Sequence, residues 1–379
     1  MKREYIIFGA EHYNPLGVIR SLGEHGILSI GIIIKNQRKI ASKSKYLKKI
    51  HFVDTLDEGY QVLIEHYGNN TEKHFLFSCS DKVAYLFDEK YEELVDKFYF
   101  FNAGGQGRLS FYMNKYNICQ LANQHGITLA KTWIVSKGDI PDDLIYPVIT
   151  KAGISTIDNW KGDSFICNNE SDLINAYKKI RSKSIILQQY IRKKNELCLD
   201  GYCLDHGSIT IITIASTYNY VLPDTYSPYM TVSNFDNKEL YRKISEIFKE
   251  ICFEGIFSIE FLIGPNDELY FLEINFRNST WSYASTVAGM CLPLLWSKGI
   301  LEKTKNEENV IKNFDPFKAM VEFDDFNNRV KTGQISVFKW IKDFRKSKCK
   351  FYYSSDDKKP FLSVIYAKVK KFKKGLKIS

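Results

Sequence analysis

The chain has 379 residues, a formal net charge of +9, 44% hydrophobic residues and 15% aromatic residues. This length predicts two or three domains, and the ordinary balance of apolar and charged residues excludes a disordered, collagenous or coiled-coil chain. The longest apolar stretches are strand-sized, so we expect neither a membrane-spanning helix nor a secretory leader.

The cysteines indicate the redox compartment. None of the eight forms a Cys-x-x-Cys pair, and most lie in apolar segments, which favours buried thiols over disulfides or structural zinc. We therefore expect a cytoplasmic protein. The cysteines are Cys79, Cys119, Cys167, Cys198, Cys203, Cys252, Cys291 and Cys349.

The first hundred residues alternate short apolar stretches with amphipathic ones. This alternation predicts strands linked by crossover helices, and therefore a Rossmann-like α/β domain with a parallel sheet. The predicted strands are Tyr5–Gly9, Leu28–Ile34, Ile50–Val53, His74–Cys79 and Phe98–Phe101, and the predicted helices are Leu16–His25, Leu56–Tyr67 and Val83–Lys97.

Two polar loops follow predicted strands, at the sheet edge where parallel sheets bind ligands. They are residues 10–17, Ala-Glu-His-Tyr-Asn-Pro-Leu-Gly, and residues 78–81, Ser-Cys-Ser-Asp. The first loop has Gly9 and Gly17 without the spacing of a dinucleotide fingerprint, which disfavours a Rossmann oxidoreductase. Ordinary turn chemistry is the alternative interpretation of both loops.

After a helix and a strand in residues 111–133, residues 147–330 mix strands and helices without regular alternation, which predicts an α+β domain. Its predicted helices are Lys115–His125, Glu170–Arg181 and Lys238–Cys252, its strands lie near Trp133 and at Pro147–Lys151 and Ser184–Gln189, and a hairpin joins Glu196–Leu204 to Ser208–Ser216.

The segment Gly255–Trp281 is the most informative part of the sequence. Two stretches with apolar residues at every second position flank a Gly-Pro-Asn-Asp turn signal, which predicts an antiparallel hairpin. In that hairpin Glu260 and Glu273 fall approximately opposite each other. Asn275 and Arg277 share the face of Glu273.

Opposed carboxylates on neighbouring strands repel each other unless they share a proton or hold a cation between them. With the amide oxygen of Asn275 they form an all-oxygen set that suits Mg²⁺. Arg277, one step along the same face, offers a guanidinium to a phosphate or acyl-phosphate oxygen. A solvent-facing edge hairpin with a Glu–Arg cross-pair is the alternative.

The Glu…Glu-x-Asn-x-Arg pattern of these strands resembles the metal site of the ATP-grasp superfamily, and the order of the other elements agrees over about residues 4–300. The resemblance implies ATP and two Mg²⁺ ions as cofactors, with Mn²⁺ as the alternative ion and Glu260, Glu273 and Asn275 as the metal ligands. It also implies a pre-ATP-grasp α/β domain (1–110), a two-lobed ATP-grasp domain (111–330, lid lobe about 130–190) and a basic C-terminal extension (331–379).

The resemblance assigns nucleotide contacts by position. Lys115 matches the first nucleotide-contacting lysine, and Lys151 matches the second, which reaches the α-phosphate. Residues 186–191 match the hinge that holds adenine, and Glu196 matches the ribose-contacting position. Each assignment has a simpler alternative. Lys115 would be an exposed lysine of a helix, Gln188 and Gln189 would be ordinary strand residues, and Glu196 would be a surface carboxylate. The implied nucleotide-binding residues are Lys115, Lys151, Ser155, Lys161, Gln188, Gln189, Tyr190, Ile191, Glu196 and Leu272.

Three positions depart from the family pattern. Lys151 is followed by Ala-Gly rather than by proline, Gln188 stands where a carboxylate is usual, and residues 154–162 are not the glycine-rich phosphate cover. Because loop amides normally cradle the phosphates, Ser155 and Lys161 are the candidates to replace them.

The resemblance implies a ligase that phosphorylates a carboxylate and then lets an amine displace phosphate. Lys151 and Arg277 are the implied catalytic residues, and Arg277 would steady the transferring group. The chain looks most like carboxylate–amine ligases of bacterial cell-envelope pathways, including D-aspartate ligases and surface-polysaccharide amino-acid ligases. Another ATP-grasp phosphoryl transfer and a non-catalytic nucleotide-binding module are the alternatives.

The implied substrates are a small-molecule carboxylate and an amine. In an alternative form of this expectation, either substrate is linked to a lipid or a nucleotide. A second copy of the chain, in a homodimer, is the other implied partner. The loops after the strands would line the acceptor pocket in this architecture. The pocket residues expected there are Glu11, His12, Asn14, Ser80, Asp81, Ser279 and Trp281.

The basic excess lies in residues 331–379, which hold 15 Lys or Arg and three acids, so the rest of the chain carries a net charge of −3. We therefore expect no nucleic-acid partner. One helical face, surrounded by lysines, carries Ile365, Val369, Phe372 and Leu376. Two interpretations stay open: this face docks on the body, or residues 364–379 form a peripheral anchor to anionic lipid or a lipid-linked substrate at the inner membrane face.

Overall fold

The computed structural model describes residues 3–152, 164–222, 225–302 and 312–375. Its N-terminal sheet has five parallel strands in the order β3-β2-β1-β4-β5. Ile6, Ile7 and Phe8 are all fully buried, because helices cover both faces of a parallel sheet. The strands are β1 (Tyr5–Ala10), β2 (Ser29–Ile34), β3 (Leu47–Val53), β4 (His74–Ser78) and β5 (Phe98–Tyr99).

Four helices connect these strands: α1 (Tyr13–Gly23), α2 (Leu56–Tyr67), α3 (Asp81–Glu89) and α4 (Tyr91–Leu94), with a short 3₁₀ turn at Ala41–Lys43. Polar side chains start the first three, since His12, Thr55 and Ser80 each accept a hydrogen bond from a backbone N–H in the first turn. The predicted alternation is confirmed, with small shifts at element ends. The single helix predicted at Val83–Lys97 is wrong, because Lys90 leaves the helical conformation and separates α3 from α4.

Two helices, α5 (Arg108–Met113) and α6 (Lys115–Gln124), lead into a smaller antiparallel sheet. This sheet has the order β6-β9-β7-β8 and, together with α7 (Glu170–Lys179), encloses its own hydrophobic cluster. Its strands are β6 (Thr132–Ser136), β7 (Val148–Ala152), β8 (Ile166–Cys167) and β9 (Ser184–Gln189).

The third sheet has seven strands in the order β14-β13-β10-β11-β12-β15-β16, antiparallel except for the last pair. Helix α8 (Lys238–Ile251) covers one face, where Phe248 packs on Phe257 with ring centroids 4.2 Å apart. The charged residues of the predicted hairpin therefore lie on the other face. The strands are β10 (Asn195–Leu204), β11 (Ile209–Tyr218), β12 (Tyr229–Ser233), β13 (Gly255–Ile263), β14 (Leu269–Asn275), β15 (Phe317–Met320) and β16 (Cys349–Lys350).

One of the remaining helices, Leu292–Glu302, packs between the N-terminal and seven-stranded sheets. Trp296 is fully buried, and its ring meets the edges or faces of Phe75, Phe77 and Phe101. The helices are α9 (Tyr283–Val287), α10 (Leu292–Glu302), α11 (Glu322–Asp325), a π-helical turn (Phe326–Val330), α12 (Val337–Lys346) and α13 (Lys359–Gly375).

The predicted tail helix is confirmed as part of α13, and of the two interpretations left open the described side chains disfavour docking through the predicted apolar face. Ile365 and Val369 are exposed, whereas Phe361 and Val364 pack against the core. The ring of Phe361 determines this orientation, because it stacks on Phe323 at 5.1 Å. Two other residues of the predicted face, Phe372 and Leu376, lie outside the side chains that the structure describes.

None of the helices in the described part of the chain combines the length and the apolar composition that crossing a bilayer requires.

Candidate active site

The predicted pair of carboxylates lies on β13 and β14. Glu260 is directly opposite Glu273 in the antiparallel ladder, as the alternation predicts. A bulge follows, because Phe261 pairs with Phe271, and Leu272 is the extra residue. Burial, and then the charge of Glu273, raise the pKa of Glu260 above its ordinary value.

Asn275 connects this pair to Arg277. Its Nδ2 donates to Glu260 Oε1 (3.1 Å) and to Glu273 Oε1 (3.4 Å), and its Oδ1 accepts from Arg277 Nη2 (2.9 Å). The amide oxygen predicted to bind metal therefore faces the guanidinium here. Arg277 Nε in turn donates to Asp81 Oδ1 at 2.7 Å, which fixes the guanidinium beside the loop after β4.

Two lysines face the same cleft. Lys115, in the first turn of α6, places Nζ 2.9 Å from Glu273 Oε2. Burial acts to lower the pKa of Lys115, but the charges of Glu273 and Glu260 outweigh it and raise this pKa. Lys151, on β7, donates to Gln188 Oε1 at 2.6 Å, and burial followed by the charge of Lys115 lowers its pKa. Lys115 is thus paired with a carboxylate of the hairpin, and Lys151 is held to the smaller sheet through Gln188.

The donor set of the hairpin fits a divalent cation that also binds phosphate oxygens. Glu260 and Glu273 offer carboxylate oxygens on one face, and oxygen ligands are those that Mg²⁺ prefers. Among the described residues no three His, Cys, Asp or Glu side chains converge as a metal site. A cation held by this chain would thus rest on two carboxylates, with Asn275 as the neighbouring amide.

The residues expected to contact adenine and ribose have hydrogen-bond partners within the protein. The N–H groups of Gln189 and Tyr190 donate to the carbonyls of Lys131 and Pro147 (both 2.8 Å), so neither N–H is available to a base. Gln188 holds Lys151, as above, and Glu196 accepts from Lys193 (2.6 Å) and Tyr218 (3.0 Å). Ile191 follows β9, half-buried.

The phosphate-loop candidates Ser155 and Lys161 lie outside the described residues.

No family model matches the chain. A stretch of 135 residues is 30% identical to N5-carboxyaminoimidazole ribonucleotide synthase from Staphylococcus aureus (strain COL), and the match spans 35% of this chain and 35% of that protein.

Solved structures give broader matches. N5-carboxyaminoimidazole synthetase from S. aureus complexed with ADP has a TM-score of 0.64 and 15% identity, over 86% of this chain and 85% of that one. L-amino acid ligase from Bacillus licheniformis has a TM-score of 0.62 and 11% identity, over 85% and 80%. The biotin carboxylase domain of Hydrogenobacter thermophilus 2-oxoglutarate carboxylase has a TM-score of 0.61 and 16% identity, over 85% and 75%. The chain has the ATP-grasp fold.

Three residues expected in the acceptor pocket of this ATP-grasp fold are instead engaged inside the protein. Glu11 is 2% exposed and accepts from the N–H groups of Ile40 (2.7 Å) and Ser42 (3.2 Å). Asn14 donates to the carbonyls of Cys79 and Asn278, and Ser279 donates to Asp200. Of the three, only Asn14 links the two larger sheets, because Glu11 bonds within the N-terminal sheet and Ser279 within the seven-stranded sheet. Ser80 also has a structural partner, the Val83 N–H, at 3.3 Å.

His12, Asp81 and Trp281 remain at the surface of the cleft or next to it. His12 Nδ1 accepts from the Asn14 N–H at 3.2 Å and so begins α1. Burial, followed by the charges of Arg38 and Arg277, lowers the pKa of His12 to about 4. Trp281 is buried against Phe351 and Tyr226, and Asp81 binds Arg277 as above.

Sequence reasoning missed Asp200, a fully buried carboxylate on β10. It accepts from the hydroxyls of Ser279 (2.5 Å) and Ser282 (2.9 Å), and burial raises its pKa to about 6 despite these hydrogen bonds. It thereby fixes the loop that follows Arg277. The sequence carried part of the signal, since Asp200 shares a face with Cys198 on the predicted strand Glu196–Leu204, and the structure pairs Cys198 with Glu260.

The sequence also gave no indication of a polar chain from the N-terminal sheet to α11. Tyr13 and Tyr226 share a hydroxyl hydrogen bond at 3.2 Å, and Tyr226 donates to Asp324 Oδ2 at 3.4 Å. Burial raises the pKa of Asp324, and the charge of Arg38 opposes this rise. These four residues come from segments far apart in the chain, which a single sequence does not bring together.

Proposed function

We propose that this chain is an ATP-dependent ligase that activates a carboxylate as an acyl phosphate and joins it to an amine, releasing ADP and phosphate. The observation that carries the proposal is one cleft holding Lys115 against the carboxylates Glu273 and Glu260, with Arg277 beside Asn275. Cations for a polyphosphate, oxygen ligands for a metal and a guanidinium for the transferring group thus occur together.

The residues present would divide the work as follows. Lys151 and Lys115 bind phosphate oxygens, and Arg277, fixed by Asp81, neutralises charge on the transferring phosphoryl group and on the tetrahedral oxyanion. The substrate carboxylate attacks the γ-phosphorus and ADP leaves. The amine then attacks the acyl carbon and loses a proton, and phosphate leaves. Mg²⁺ bound at Glu260 and Glu273 would supply charge neutralisation between phosphate oxygens.

The comparisons support ATP and Mg²⁺ as cofactors. The S. aureus synthetase was solved with ADP, and the H. thermophilus domain was solved as a dimer with MgADP and bicarbonate. Two metal ions, with Mn²⁺ as an alternative, and a homodimer are part of the proposal for this chain.

A second candidate is formation of N5-carboxyaminoimidazole ribonucleotide, because the sequence match is to a synthase of that compound. Bicarbonate would then be the carboxylate that is phosphorylated, and the amino group of aminoimidazole ribonucleotide would be the amine. The site residues would have the same roles.

The test is Mg²⁺-dependent ADP release with hydroxylamine as a generic amine. The carboxylates would include L- and D-amino acids, N-acylated amino acids, uronic acids, and bicarbonate with aminoimidazole ribonucleotide in place of hydroxylamine. One stimulating carboxylate with a hydroxamate product supports the ligase, and stimulation only by bicarbonate with the ribonucleotide supports the second candidate.

Glu273→Gln is the decisive variant, and Glu268→Gln is its control in the same hairpin, where the half-buried carboxylate accepts from Asn266. We expect Glu273→Gln to abolish ADP release without changing the far-ultraviolet circular dichroism. Full turnover in Glu273→Gln would contradict the proposed site. ATP binding without turnover under any condition would favour a non-catalytic nucleotide-binding module.

The cellular role belongs to the proposal as well. We place the reaction in cell-envelope or surface-polysaccharide synthesis, with a lipid- or nucleotide-linked substrate, on the resemblance noted above. The basic segment 364–379 supports peripheral contact with the inner membrane face, since Ile365 and Val369 are exposed among lysines. Activity with a free small acid equal to that with any linked acid would contradict this role.

A further inference from the structure

Helix α12, outside the segment considered so far, presents an apolar face to solvent. Phe338 is 87% exposed, and Val337 and Ile341 on the same side are also exposed. The opposite side holds the helix to the protein, because the Trp340 ring packs on Phe326 at 5.2 Å. Helix α12 is well anchored, yet it exposes this aromatic ring together with neighbouring apolar side chains. An exposed apolar patch of this kind indicates a binding surface.

Helix α13 repeats this arrangement. Tyr366 is 70% exposed and Leu362 is 55% exposed, whereas Phe361 faces inward. One aromatic cluster supports both helices, because Tyr353 packs on Phe344 of α12 at 5.8 Å and on Phe361 of α13 at 5.5 Å. The two exposed faces are therefore neighbouring parts of one region of the protein.

Basic side chains without carboxylate partners surround these apolar residues. Among the described residues, no carboxylate lies within 4.0 Å of the charged groups of Lys342, Arg345 or Lys346. Two of the three acids of the extension are used internally, since Asp343 pairs with Arg329 at 2.9 Å and Asp357 pairs with Arg20 at 3.1 Å. In a helix, Lys342 lies about one turn and Arg345 about two turns beyond Phe338 on the same side, so both cations follow the exposed ring along α12.

We propose that α12 and α13 together form a surface that docks on an anionic lipid bilayer. Apolar side chains enter the boundary between headgroups and acyl chains, while the surrounding cations contact the headgroups. A second copy of this chain fits less well, because a twofold axis through the surface would bring like charges together. A nucleic acid would leave the Phe338 ring without an apolar environment. The proposal is independent of the reaction at the ATP-grasp site.

The experiment is co-sedimentation of the full chain with vesicles of phosphatidylcholine alone or mixed with phosphatidylglycerol, at low and high salt. We expect binding only to the mixed vesicles and its loss at high salt. Phe338→Ser should weaken binding about tenfold, as expected for removing one buried apolar side chain. Lys342→Glu with Arg345→Glu should weaken it by at least about 25-fold, since each of the two lost charges costs roughly fivefold.

The matched control is Phe52→Ser, at a half-exposed phenylalanine on the edge strand β3 of the N-terminal sheet. It should bind like the unmodified chain, and thermal melting of all variants would show that each is folded. Unchanged binding by Phe338→Ser would restrict membrane contact to the tail and overturn the proposal. Equal binding to neutral and mixed vesicles would also overturn the proposal. A dimer that is detected by light scattering and dissociated by Phe338→Ser would overturn it as well.

Discussion

Removing the carboxylate of Asp357 is the sharpest test of how the C-terminal extension is fixed to the N-terminal sheet. Arg20 of α1 is fully buried, and its Nε donates to Asp357 Oδ2 at 3.1 Å. Its other nitrogens donate to the carbonyls of Phe351, Tyr352 and Asp357 at 2.8–3.1 Å. One guanidinium therefore holds three residues of the extension, 331 to 337 positions further along the chain.

The expected cost follows from what Asp357→Ala leaves behind. The Arg20 charge would stay buried with carbonyl partners only, and removing one member of a buried ion pair costs about 3–5 kcal/mol. Asp357 also accepts from the Ser44 hydroxyl (2.7 Å) and from the Lys45 N–H (3.0 Å), so these donors lose their partner too. Since whole domains are stable by only about 5–15 kcal/mol, the extension should detach well before global unfolding.

The assay is urea unfolding followed by tryptophan fluorescence, together with limited proteolysis in the absence of denaturant. Asp356→Ala is the control, because Asp356 is the exposed neighbour and its loss should stay within about 0.5 kcal/mol. Asp357→Ala should lower the midpoint of the first transition and expose cleavage sites in the extension. Equal behaviour of the two variants would refute the assignment of this ion pair as the anchor.

Two further predictions concern His12 and a glycine. Because burial, Arg38 and Arg277 lower the pKa of His12, its stabilising effect is present above about pH 6.5 and is lost as pH falls through about 4. Proton NMR of the His12 ring should give a midpoint near 4 that Arg38→Ala raises, and a midpoint at or above 6 would contradict this. Gly207→Ala should lower the free energy of unfolding more than Gly26→Ala does. Both glycines have φ near +80°, but only a Cβ at Gly207 would clash with a carbonyl oxygen, that of Phe248. Equal losses would show that the close approach is unimportant.

Elements whose pattern repeats over several residues were predictable. The strand and helix alternation of the first hundred residues needs only local apolar spacing, and it gave the parallel sheet and the loops at its edge. The pairing of Glu260 with Glu273 was predictable for a similar reason. Period-2 apolar residues on both strands and a turn between them restrict the register, since a shift by one residue would bury the charges.

The roles of single polar residues in loops were not predictable from the same information. Glu11 lies in a loop at the expected edge, yet its carboxylate binds the N–H groups of Ile40 and Ser42, about thirty positions away. Whether a loop carboxylate meets substrate or backbone depends on which N–H groups the fold leaves without partners nearby. That depends on chain paths between elements, which periodicity does not describe.

The same reasoning explains why the sequence alone left open whether the apolar face of the tail helix docks on the body. The spacing of Ile365 and Val369 marks an apolar face, and a helix normally buries such a face. The position of α13 is instead set by Phe361, whose ring fits between Phe323 and Tyr353, residues from two other segments. Docking through Phe361 and Val364 leaves the described part of the apolar stripe, Ile365 and Val369, exposed. Because lysines border that stripe, an anionic lipid surface offers both a medium for the apolar side chains and counter-charges for the cations.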